Sequence, residues 1–205
     1  MIKIIKDQNN VSLFAGKNLE LTAAGLISPD WTAPGITTAT HTIEEVESLP
    51  DGWIGGHYYR INGDWPLTPL GQAVKAKELE SAKEDLKDQV DHIRYSKIYM
   101  ESIPYTFSGD TDPDGVQMRN EIDRQNIQDT VAEALLCAPD DMLYFMPVSN
   151  NLKAMTAAQV KAMGRYLKDR GNSIMAKSWN LKSEIAETST MEELADIDIN
   201  AGWPE

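Results

Sequence analysis

The spacing of hydrophobic and polar positions changes near residues 68 and 100. Before the first change the period is two. Ile2 and Ile4 alternate with Lys3, the pattern of a half-buried strand. Asp7-Gln8-Asn9-Asn10 is a turn cluster, and residues 11–14, 19–21 and 41–46 read as further short strands. Residues 28–38, rich in Pro, Gly and Thr, read as a loop. Asn62-Gly63 between β-formers predicts a type I′ hairpin, because both central residues need positive φ. Pro66, Pro69 and Gly71 read as a boundary, so residues 1–68 form a β-rich module.

Residues 69–100 follow a helical rhythm. Leu79, Leu86, Ile93 and Met100 recur every seven residues among Lys, Glu and Asp of alternating sign. The rod would be about 45 Å long. It is either a solvated linker or a short oligomeric coiled coil whose binding seam is those four residues. Gln89 and Ser96 at would-be apolar positions thin that seam.

Residues 101–205 read as an α+β domain. A hairpin is expected from residues 103–107 to Val116 and Met118, and a helix over 124–138 with Ile127, Val131, Ala134 and Leu135 inward. Residues 142–146 form an apolar strand. Thr156 and Gln159 make a capping box before the longest helix, whose stripe is Val160, Met163, Leu167, Ile174, Leu181 and Ile185, with Gly171 as a weak point. Thr190 and Glu193 cap a final helix over 191–197.

Charge narrows the function classes. Nineteen basic residues face 32 acidic ones, a net charge of −13. Nucleic acid and anionic membranes both require clustered cations, so neither is an expected partner. No apolar run approaches the roughly 18 residues a transmembrane helix needs, and the N-terminus shows no signal peptide; no membrane insertion is expected, and synthesis in a cytoplasm is. Cys137, the one cysteine, reads as a small buried hydrophobe.

One motif has ligand spacing. Asp110, Asp112, Asp114, Val116 and Glu121 fit the D-x-D-x-D-G-x5-E calcium loop. Pro113 inside the loop, Gln117 at a normally apolar position and the missing preceding helix argue instead for an acidic hairpin turn. No metal or cofactor is assigned. His41, His57 and His92 lie in separate segments, and no nucleophile elbow, phosphate loop or dinucleotide fingerprint occurs. No catalytic residue is expected. Trp65 and Trp179 read as plugs of small cores; Trp203 reads as a plug or as a partner anchor.

The closing segment Thr190-Met191-Glu192-Glu193-Leu194-Ala195-Asp196-Ile197-Asp198-Ile199-Asn200-Ala201-Gly202-Trp203-Pro204 resembles the end of an uncharacterised domain of bacteriophage tail fibre and tail-fibre-assembly proteins. The likeness extends loosely over residues 92–205, through the Arg124-Gln125-Asn126-Ile127 helix start and the Leu143-Tyr144-Phe145 strand. Gly55-Gly56-x-Tyr58 leading to Gly63-Asp64-Trp65 is similar to small β-modules that begin phage tail proteins. The resemblance implies a non-enzymatic structural protein of the virion tail, a fibre or baseplate-peripheral component, with other phage tail or fibre proteins as partners and a homotrimeric state. The rival it implies is a non-virion assembly chaperone. An enzyme such as a polysaccharide hydrolase is a third reading, and no constellation of residues supports it.

Overall fold

A computed structural model describes residues 1–100 and 102–204. Glu101 and Glu205, the ends of the expected C-terminal domain, lie outside the described residues. The class is α+β, with small antiparallel sheets first and helices after them. The chain divides into two compact units, Met1–Ser81 and Ala82–Glu205.

In the first unit β1 (Ile2–Asp7) is the middle strand of an antiparallel sheet, between β2 (Ser12–Gly16) and β6 (His41–Val46). The expected half-burial of β1 is corrected here. Ile4 and Ile5 are adjacent, so they face opposite sides, and both are fully buried. Ile5 packs with Leu19 and Leu26. A second sheet joins β3 (Glu20–Leu21), β4 (Leu26–Ile27) and β5 (Thr32–Ala33). Strand β5 lies inside the segment read as loop, because two residues are too few to show a period. The predicted turn is present: Asn62 and Gly63 have φ of 51° and 95°, and Ile61 and Asp64 exchange backbone hydrogen bonds.

Helix α1 (Pro69–Ile98) starts within this unit. Pro69 and Gly71, read as breakers, are its first turn. Proline at the first helical position lacks only an N–H that would have no helical partner. The buried Thr68 hydroxyl donates to Gly56 O at 2.8 Å and accepts from Gly71 N at 3.1 Å. A Cβ on Gly71 would lie 2.2 Å from His57 O, so the close approach requires glycine.

The second unit adds β7 (Ser102–Ile103), β8 (Val116–Gln117), α2 (Glu121–Leu136), β9 (Met142–Phe145), β10 (Lys153–Thr156), α3 (Ala157–Glu187) and α4 (Met191–Ala195). Strands β7 and β8 form the expected hairpin, shortened to two pairs. Helix α2 begins three residues before the expected start because the Asn120 side chain accepts from Asp123 N at 2.9 Å and caps it. Both predicted capping boxes, Thr156/Gln159 and Thr190/Glu193, are formed. Helix α3 runs through Gly171 unbroken, so the expected weak point is not a break; nothing lies within 4 Å of where its Cβ would be. Strand β10 was not foreseen.

One core gathers Phe107, Val116, Ile127, Phe145, Met155 and Val160 between the strands, α2 and the start of α3. Further along α3, the portion of α1 inside this unit runs antiparallel to it. Lys83 Nζ donates to Ala186 O at 3.2 Å, Lys182 pairs with Asp91 at 2.6 Å, and Arg170 Nη1 donates to Lys97 O at 3.0 Å.

In the first unit Glu44 accepts from Lys6 at 2.7 Å and from Arg60 at 3.0 Å. The Lys6 hydrogen bond, with help from Arg60, holds its carboxyl below the ordinary value of 4.5 against the opposing effect of burial. A depressed carboxyl stabilises the fold above its ordinary value, and that contribution is lost as pH falls through the folded-state value. Glu44→Gln should therefore melt at lower temperature than wild type at pH 7, and the gap should close in melts taken progressively below about pH 4.5.

Candidate functional site

The second unit leaves an apolar groove open between α2 and α3, with a volume of about 520 Å³. Its α2 wall comes from Arg124, Ile127, Val131 and Leu135, a helical stripe one side of which also feeds the core. Its α3 wall comes from Gly164, Leu167 and Lys168. A Cβ on Gly164 would lie 2.8 Å from Val131 Cγ2, so glycine lets the helices cross closely there. The groove opens alongside that crossing. Arg124 is fixed in place by Glu121, 3.0 Å away, and by stacking 4.8 Å over the Tyr99 ring.

Leu135 was expected inside and is 67% exposed; Leu136 is 91% exposed. A helix packed on one side buries one stripe, and in α2 Ile127, Val131 and Ala134 take it. Strand β9 behaves likewise. Leu143 and Phe145 enter the core, while Met142 and Tyr144 face out at 54% and 67% exposure. The sequence cue for both surfaces was a continuous apolar run longer than one face can bury.

The seam residues are not gathered into one open face. Leu79, Leu86, Ile93 and Met100 are each half-buried, Leu79 in the first unit and the others in the second. The buried positions of α1 in the second unit are Lys83 and Val90, seven residues apart. Ile93 borders a cleft with Ile199 and Asn200 of the same chain. In the second unit α1 is thus paired within the chain, not a solvated linker.

Trp203 is corrected as an exposed partner anchor. It is 8% exposed, and its indole N–H donates to Ile199 O at 2.7 Å. Gly202 before it has φ of +71°, which swings the terminal ring back onto its own unit. Trp179, read as a core plug, is 62% exposed; its neighbour Ser178 takes the buried position on α3.

The acidic loop does not converge. Asp110 pairs with Lys153 at 2.8 Å. Asp114 accepts from Ser149 N at 3.0 Å and from Ser149 Oγ at 2.6 Å. Glu121 sits in the first turn of α2 against Arg124, and Val116 lies buried in β8. Among the described residues no three His, Cys, Asp or Glu side chains are grouped to hold a metal ion. Asp114 acts as a clamp on the 149–151 turn. The Asp114→Asn variant should melt lower than wild type by roughly 1 kcal/mol of stability, and millimolar calcium or chelator should leave the melting temperature of wild type unchanged.

No helix among the described residues is long and apolar enough to cross a membrane. The profile of a family described as a domain of unknown function (DUF4376) matches residues 81–201. The match begins one residue before the second unit and holds α2, α3 and the groove between them. No curated protein and no solved structure matches the chain. The chain belongs to the DUF4376 family.

Proposed function

We propose that the chain is a bacteriophage tail-associated structural protein, a fibre or baseplate-peripheral component, that works by binding other proteins and not by catalysis. The observation that carries the reading is the open apolar groove between α2 and α3, extended by the exposed Leu135 and Leu136. Exposed apolar surface of this kind marks an interaction site. The phage setting rests on the resemblance of residues 190–204 to the end of tail fibre and tail-fibre-assembly proteins. The partners would be other tail or fibre proteins, met in the virion tail after synthesis in the host cytoplasm. A non-virion assembly chaperone is the second reading. The same groove favours it, because holding a fibre segment during folding also needs an apolar channel.

Quantitative mass spectrometry of gradient-purified particles separates the two. A small fixed copy number per tail is the expected result. Absence from particles, with abundance in the infected-cell lysate, would replace it with the chaperone.

The homotrimer that the resemblance implies is not carried into this proposal through the heptad line. Val90 and Lys83 are spent within the chain, and Leu86 and Ile93 are half-covered. Knob-into-hole packing needs such positions free. Light scattering on the purified chain should return the mass of one copy, 22.8 kDa; a threefold mass would restore the coiled-coil seam.

A further inference from the structure

We propose that the groove between α2 and α3 takes an acidic amphipathic helix of a partner protein, about three turns long. This rests on the binding role proposed above and names the chemistry of the partner. The chain carries 32 acidic against 19 basic residues, yet among the described residues no carboxylate lines the groove. Residues 157–168 of α3 contain no Asp or Glu. Lys161, Arg165 and Lys168 stand there at i, i+4 and i+7, so they share one side of the helix, and Lys168 reaches the groove itself. Like charges at that spacing repel one another and mildly destabilise a helix.

Several other cations of this unit are held in ion pairs. Arg119 pairs with Asp123, Arg124 with Glu121, Lys153 with Asp110 and Lys182 with Asp91. Among the described residues Lys161, Arg165 and Lys168 have no such partner. A stripe of unpaired cations along an apolar groove, in a chain of net charge −13, is complementary to a helix that is apolar on one side and acidic beside it. The groove-lining positions of α2 from Arg124 to Leu135 span about 16 Å, which sets the three-turn length. Leucines of the partner at i, i+4 and i+7 would bed on Val131, Leu135 and Leu167. Carboxylates seven residues apart would meet Lys161 and Lys168.

The test titrates the full chain against a fluorescein-labelled peptide of about 15 residues. The peptide has leucine at i, i+4, i+7 and i+11 and glutamate at the flanking positions. The same peptide with every glutamate replaced by lysine is the control. By anisotropy the acidic peptide should bind about tenfold tighter or more, and added salt should narrow the difference. The double variant K161E/K168E, at one half-buried and one exposed position and checked for an unchanged circular dichroism spectrum, should reverse the preference. Leu135→Glu should weaken the acidic peptide. Equal binding of both peptides, or binding of neither, overturns the proposal. So does a concentration-dependent doubling of mass that Leu135→Glu abolishes, because the groove would then hold a second copy. A chain found in tail particles that ignores the acidic peptide sinks this occupant and leaves the tail-protein reading standing. A chain that binds the peptide but is found in neither particles nor fibre complexes sinks that reading instead.

Discussion

Two buried cations close the ends of the helix pair on which the second unit depends. The last carbonyls of a helix have no partner inside it, and burying them unpaired is costly. Here each helix supplies the cap for the other. Lys83 of α1 reaches Ala186 O in the last turn of α3, and Arg170 of α3 reaches Lys97 O in the last turn of α1. Both side chains are 6% exposed, so each also loses most of its hydration. That loss is tolerable because the negative end of a helix dipole is where a cation belongs. The arrangement works only in the antiparallel sense and in one register. It therefore fixes where Val90, Ile174, Leu181 and Ile185 are buried along the pair.

Fixing α3 in this way divides its surface. The C-terminal half faces α1 and the returning tail, where Trp203 closes over Ile199. The N-terminal half sends Val160 and Met163 into the core with α2 and β9. Gly164 lets α2 approach closely at one point, and Leu167 lines the open groove beside it. The groove is thus a consequence of packing. A helix held at two other faces cannot also turn to bury a third.

Much of this was legible. The capping boxes at Thr156 and Thr190 name their helices because a hydroxyl followed three residues later by Gln or Glu satisfies backbone N–H groups locally. Asn62-Gly63 names its turn by the same local logic. The stripe Val160 to Ile185 was correct in every member but Leu167, which is only half-buried, since a 31-residue helix gives its period many chances to show. What failed was everything set by tertiary context. A heptad line reports that a helix has an apolar seam and cannot report which chain supplies the partner. Lys83 and Arg170 look like surface residues in any hydrophobic pattern, so the cations that register α1 on α3 were invisible. Leu135, Met142 and Tyr144 lie in apolar runs, and a run does not say how many of its members the fold has room to bury. Trp203 was legible as a plug or as a partner anchor, and the pattern alone did not decide between them.

Net charge is the coarsest of these averages. A value of −13 predicts that acidic partners are repelled, and at low ionic strength the approach of one would be slowed. At physiological salt a charge is screened beyond about 8 Å, so a ligand in the groove responds chiefly to the residues that line it. Those are apolar side chains with Lys168, beside Lys161 and Arg165. Long-range repulsion then acts mainly on the rate of encounter, and short-range pairing on the rate of escape. A site of this kind discriminates by what it holds in contact, and the sign of the whole molecule is a poor guide to the sign of its partner.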